Sequence, residues 1–258
     1  MTPFDPTRFQ ALRRDRGVAL GDPIHAAAVT GSTNDDAMLA ARGGAPDGAT
    51  FVADSQTQGR GRRGARWSSP PGENLLFSLV LRRRFTLERA STLTLAIGLA
   101  LRDAVAGRTA CAIAIKWPND LIAGDKKLAG ILVESQLQAG AVDAVVVGVG
   151  LNVAMRAPPP EIASIATSLA LLGAHHLDRE ALLCDVLEAI AKRVAVHEAR
   201  GLAPILDELG SHDALLGRRV RVNGASGVAS GIAESGALRL RDDAGVLREV
   251  RSGSVELL

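Results

Sequence analysis

Hydrophobic positions follow two rhythms along this chain, and each predicts a different kind of element. Between residues 87 and 106 they recur at the spacing of one helix face. The same rhythm returns over 179–199 through Leu182, Val186, Ile190 and Val194. Asp5-Pro6 ahead of Phe9 and Leu12 predicts a short helix with proline at its first position. Residues 35–42, closed by Gly43-Gly44, predict another. Elsewhere apolar residues alternate or run unbroken over 24–29, 50–53, 75–81, 112–115, 129–133 and 142–149, as strands do. Past Gly217 the pattern shortens to β-like pieces at 219–222, 227–232, 237–240 and 247–250, parted by glycine or Asp-Asp turns. The expected architecture is α+β. Residues 1–210 form a central mixed or antiparallel sheet with helices packed on one face, and residues 211–258 form a small antiparallel sheet or SH3-like β-barrel of about five strands.

Composition narrows the class. Hydrophobic residues make up 47% and charged residues 22%, enough apolar material for a packed core and too much for a disordered chain. The formal net charge is only +2, so a general electrostatic grip on nucleic acid is not expected; positive charge is instead local, in Arg60, Arg62, Arg63 and Arg66. Aromatic residues amount to 3%, too few to build a base-stacking platform. Cys111 and Cys184 lie far apart in apolar stretches, outside any CxxC or Cys/His cluster, and are expected to be buried and inert. No secretory h-region and no apolar run of about 20 residues is present, which predicts a soluble, cytoplasmic protein without a membrane partner.

Four segments hold the candidate chemistry. In 53–67, glycines alternate with arginines directly after an expected strand: Gly59-Arg60-Gly61-Arg62-Arg63-Gly64. Glycine lets backbone N–H groups come close to a ligand, and arginine offers forked donors to carboxylate or phosphate. Such a loop suits two anions side by side and, lacking apolar anchors, is expected to be mobile. Taken alone, the cluster fits a nucleic-acid patch or a solvated loop equally well. Lys116-Trp117-Pro118-Asn119-Asp120 sits where a strand ends, offering polar atoms to a nucleotide or metal, although Pro-Asn-Asp by itself is commonly just a turn. Lys126-Lys127-Leu128-Ala129-Gly130-Ile131-Leu132 places a lysine at the start of an apolar strand, facing either a cleft or solvent. In Gly148-Val149-Gly150-Leu151-Asn152 the two glycines would let a flat ligand lie against a strand. The chain has no GxxxxGK[ST] and no GxSxG, and the glycine pair lacks the third glycine of a dinucleotide fingerprint.

In this order and spacing, together with Ser32-Thr33-Asn34 and Gln56, the segments resemble the biotin–protein ligase family from about Thr30 onward. The resemblance implies ATP-dependent activation of biotin to biotinyl-5'-AMP and transfer to a lysine of a biotin carboxyl carrier protein. It implies that Ser32, Thr33 and Gln56 bind the ureido ring, with Asn34 supporting the loop. Arg60, Gly61 and Arg62 would meet the biotin carboxylate and the ATP phosphates. Gly130, Leu132, Gly148 and Leu151 would wall biotin's apolar body. Arg66, Trp67, Asn119, Asp120 and Asn152 would place ATP, with Asp120 on Mg2+, and Lys127, Arg60 and Arg62 would be catalytic. The order Gly64-Ala65-Arg66-Trp67 departs from the family's usual Gly-Arg-x-Trp. Either Arg66 supplies the missing cation or ATP is held more weakly. Only 31 residues precede Ser32, too few for the winged helix-turn-helix that many members carry, so DNA is not an expected partner. An exposed strand edge admits a homodimer. Two further readings are a lipoate or octanoate ligase-like enzyme and a weakly catalytic biotin-binding protein.

Overall fold

The Asp5 carboxylate accepts hydrogen bonds from the Thr7 and Arg8 amides and, with Pro6 behind it, starts helix α1 (Pro6–Asp15). The computed structural model describes residues 2–258. There follow β1 (Ile24–Thr30), α2 (Thr33–Arg42), β2 (Thr50–Gln56), β3 (Leu75–Leu81), α3 (Leu87–Ala106), β4 (Ile113–Lys116), β5 (Asp120–Ala123), β6 (Lys126–Gln138) and β7 (Ala141–Leu151). Beyond them come α4 (Arg179–Arg200), α5 (Leu206–Ser211), β8 (Arg219–Val222), β9 (Ala225–Ile232), β10 (Leu238–Arg241), β11 (Leu247–Val250) and β12 (Val255–Leu257).

The main sheet has seven strands in the order β1-β2-β3-β7-β6-β5-β4. β1 and β2 run parallel and every other neighbouring pair is antiparallel. Its two faces differ sharply. Phe77, Leu79 and Leu81 of β3 and Val145, Val147 and Leu151 of β7 point to one side, where α3 and α4 bury Leu93, Ile97, Leu101, Val186 and Ile190. Each such side chain removed from water contributes about 1.5–3 kcal/mol, so this layer holds the fold together. On the other side Val80, Ala144 and Val146 cluster with Ala49 and with Ala37 and Ala41 of α2, and the partly buried Met38, Ala45 and Phe51 pack around them. Helices therefore cover both faces, not one as expected. The apolar stripe of α2 is made of alanines, which signal burial weakly in sequence.

A second, five-stranded antiparallel sheet has the order β11-β10-β9-β8-β12. It does not close into the expected barrel: β11 and β12 remain its two edges. Three residues of β12 and the mostly exposed β11 leave no continuous inner face to enclose. The Trp117 indole, 2% exposed, donates to the Gly236 carbonyl at 2.9 Å and ties the two sheets together. Cys184 is buried as expected; Cys111 is exposed, because it precedes β4 instead of lying within it. Among the described residues no helix is long and apolar enough to cross a membrane.

His197 of α4 is fully buried, with Nε2 2.9 Å from the Thr92 hydroxyl of α3. Burial, with Arg89 adding repulsion, holds its pKa down at about 4 against an ordinary 6.5. The unfolded chain therefore takes up this proton first. The contribution is complete above pH 6.5, is lost as pH falls toward 4, and amounts to about 3 kcal/mol. Urea unfolding at pH 7 and pH 4.5 is expected to show this loss in the natural sequence and a smaller one in His197→Met. Equal losses in both proteins would contradict it.

Candidate active site

The site lies on the α2 face of the main sheet, where side chains shrink toward one end. On that face β7 reads Val146, Gly148, Gly150 and β6 reads Glu134, Leu132, Gly130, in direct cross-strand register. A Cβ at Gly150 would stand 2.4 Å from Cε2 of Trp67, and one at Gly130 would stand 2.9 Å from Cζ3 of the same ring. The indole thus rests on a floor of bare backbone that only glycine provides. A Cβ at Gly148 would come 2.0 Å from Oδ1 of Asn34, so this glycine makes room for the asparagine amide rather than for a flat ligand directly.

At one end a polar pocket is prebuilt. Ser32, Thr33 and Asn34 are buried at the start of α2. The Gln56 carbonyl oxygen accepts from the Thr33 amide at 2.8 Å and the Thr33 hydroxyl at 3.1 Å. The Ser78 hydroxyl reaches both Thr33 Oγ1 (2.9 Å) and Asn34 Oδ1 (2.8 Å). Ser78 went unassigned at the sequence level, although it is the one polar residue in Leu75-Leu76-Phe77-Ser78-Leu79-Val80-Leu81 and that isolation is a signal.

At the other end charge dominates. Arg60, Arg62, Arg66 and Lys127 line the cavity together with one carboxylate, Asp120. Lys127 Nζ is 2.8 Å from Asp120 Oδ1 and 5.4 Å from the centre of the Trp67 ring, held by an ion pair and a cation–π contact. Burial pulls the Arg62 pKa below its ordinary value, opposed in part by Asp120. The group stays charged but is poorly hydrated, which strengthens its pull on an anion. The arginine–glycine segment is a hairpin: Trp67 N donates to Gly59 O at 2.9 Å and Gly61 N to Ala65 O at 2.7 Å. Contrary to the expected lack of anchors, Trp67 seats this hairpin on the glycine floor. Ala65 lines the cavity, and the Arg66 guanidinium donates to the Thr57 carbonyl at 3.2 Å.

Most of the expected site residues meet here: Ser32, Thr33, Asn34, Gln56, Arg60, Gly61, Arg62, Arg66, Trp67, Asn119, Asp120, Lys127, Gly130, Leu132 and Gly148 all line one cavity. Leu151 and Asn152 lie outside it. Strand alternation turns Leu151 into the core behind the floor. The Asn152 amide donates to the Thr167 carbonyl at 2.9 Å and its oxygen accepts from Asn74, bracing the loop after β7. Asn119 lines the cavity while its amide donates to the Ile131 carbonyl at 3.0 Å. Ser254 enters from the second sheet; nothing in local sequence marks it.

A buried polar pocket, a cationic lining and a glycine floor thus share one cavity on a mixed sheet. The family described as biotin/lipoate A/B protein ligase matches residues 27–152, and the biotin protein ligase C terminal domain matches residues 215–258. A biotin–[acetyl-CoA-carboxylase] ligase of Paracoccus denitrificans is 37% identical over 84% of this chain and 93% of its own. The bifunctional ligase/repressor BirA of Bacillus subtilis is 33% identical over 89% of this chain and 72% of its own. The biotin protein ligase of Aquifex aeolicus, solved with biotin and ATP, superposes with a TM-score of 0.78 at 30% identity, covering 92% of this chain and 99% of that one. The chain belongs to the biotin–protein ligase family.

Proposed function

We propose that the cavity binds biotin and ATP side by side and that the protein is a biotin–protein ligase: it forms biotinyl-5'-AMP and transfers the biotinyl group to a lysine of a biotin carboxyl carrier domain. The observation that carries the reading is the juxtaposition of the Gln56–Thr33–Ser78 network with four cations across a glycine floor. Gln56, Thr33 and Ser32 serve the ureido ring, and Arg60 with Arg62 meet the carboxylate; Leu132 covers the apolar body, and Trp67, expected to cover the adenine, reaches that body as well because its ring rests on Gly130 and Gly150. The Trp67 Nε1–H is buried without a partner among the described residues, a donor available to a bound acid or nucleotide.

The chemistry follows from charge. A biotin carboxylate oxygen attacks the α-phosphorus of ATP and pyrophosphate leaves; two anions must approach, and Lys127, Arg62 and Arg60 offset their repulsion. Asp120, the one carboxylate among the lining residues, would hold a magnesium ion, which takes one or two carboxylates and fills its other positions from phosphate and water. When bound, that ion would supply further charge neutralisation. The mixed anhydride is sensitive to water, and the 59–67 hairpin with Ser254 screens it until a neutral lysine amine attacks its carbonyl carbon and AMP leaves. Leu151 and Asn152 act from behind, as braces. Residues 1–210 carry this chemistry and 211–258 form the lobe that contributes Ser254; the second sheet, starting at Arg219, supports that division. The test is ATP-dependent transfer to a carrier lysine, with biotin set against lipoate.

A further inference from the structure

Glu134 stands on β6 opposite Val146, on the site face, yet it does not line the cavity. Its carboxylate is nevertheless fully engaged. Oε2 accepts from Asn34 Nδ2 at 2.7 Å and from Arg60 Nη2 at 2.6 Å, and Oε1 accepts from Arg60 Nη1 at 3.2 Å. The same Arg60 nitrogen is 2.7 Å from Asp35 Oδ1 of α2. Asn34 in turn accepts from Ser78, which holds Thr33, which holds Gln56. One carboxylate thus joins the buried polar pocket to the hairpin arginine.

We propose that Glu134 is a positioning residue for the reaction described above, and the proposal rests on that reading. Bidentate pairing fixes the plane of a guanidinium as well as its place. Arg60 is exposed on a glycine-rich hairpin and would otherwise sample many orientations; Glu134 aims it along the rim of the cavity. By holding Asn34 with the same oxygen, Glu134 sets the distance between the two ends of the acid-binding groove. Asp35 is more exposed, grips a single nitrogen and assists only Arg60. A partly exposed ion pair adds little to global stability, so the effect belongs to ligand placement and not to folding.

The experiment is a double-mutant cycle between Glu134→Ala and Arg60→Ala, read in two ways. In steady-state transfer, Glu134→Ala is expected to raise KM for biotin about 10-fold with kcat changed far less. In the Arg60→Ala background the same substitution should retain only the part that acts through Asn34, a change of about 2-fold. Glu134→Gln keeps an acceptor for Asn34 and weakens the arginine clamp, so it should fall between the two. Trypsin cleavage within the hairpin, at Arg62, Arg63 or Arg66, supplies a second readout that needs no turnover. Glu134→Ala should speed it in the natural background and leave it unchanged when Arg60 is already alanine. Equal effects of Glu134→Ala in both backgrounds, on KM and on cleavage, would overturn the positioning role. Failure of the unsubstituted protein to transfer biotin would overturn the ligase reading instead, and the cleavage cycle would still decide the clamp.

Discussion

Lys127→Ala is expected to cut adenylate formation by about 10²–10³-fold, the loss typical of removing one charge-stabilising donor from a site shielded from water. Lys127 holds the one ammonium group that lines the cavity, and Asp120 and Trp67 fix it from two sides. In transfer, an arginine cannot replace it: the guanidinium is larger, and Gly130 already lies close to Lys127, where a Cβ would meet Cε and Nζ at 3.0 Å. Lys127→Arg should therefore recover little. The fold should survive, because the backbone of Lys127 stays bonded to Ile165 and Thr167 whatever its side chain. A half-exposed ion pair is worth about 0–1 kcal/mol, a melting shift of a few degrees. Biotin-dependent ATP–pyrophosphate exchange measures the step directly. Near-normal exchange in Lys127→Ala would remove the lysine from the mechanism.

The second large effect is expected from the floor. In Gly150→Ala the new methyl would stand 2.4 and 2.6 Å from Cε2 and Cζ2 of Trp67, well inside contact. The ring cannot retreat as a unit, since Trp67 N is bonded to Gly59 O, so it must rotate off the floor or push the strand away. Overpacking of this kind costs about 1–3 kcal/mol, here placed on the ligand-binding conformation, and biotin affinity should fall about 10- to 100-fold. Calorimetry gives the affinity, and a red shift of tryptophan emission reports the ring's exposure; Trp117 remains buried in the inter-sheet contact and does not change. Gly107→Ala, where an added methyl meets nothing within 4 Å, serves as the matched control. Unaltered biotin affinity in Gly150→Ala would mean that the floor does not shape the acid-binding groove.

The parts of this molecule that were legible in its sequence are those written by local rules. The α3 helix and the strands β3, β8 and β11 follow from periodicity alone, and their observed bounds coincide with the expected ones. β5 was hidden because Asp120-Leu121-Ile122-Ala123 is short and opens on an Asn-Asp turn signal. The site was legible as a set of segments and much less as a geometry. Gly148 and Gly150 were readable as bare backbone, but that Asn34 fills one and Trp67 the other depends on pairing β6 with β7 and folding the hairpin over them. Leu151 and Asn152 were assigned to the ligand by the family resemblance. Strand alternation turns Leu151 away, and Asn152 spends its amide on the loop that follows. Glu134 meets Asn34 and Arg60, and Ser254 meets the cavity, across long sequence separations, for which a single sequence holds no signal.

The central claim is that this cavity activates biotin for transfer. Its most direct test is the intact mass of a biotin carboxyl carrier domain after incubation with the protein, ATP and either biotin or lipoate. The account predicts the gain of one biotinyl group on a single lysine, dependent on ATP, and no gain with lipoate. Lipoyl transfer in place of biotinyl transfer, or tight biotin binding with no mass gain, would contradict it.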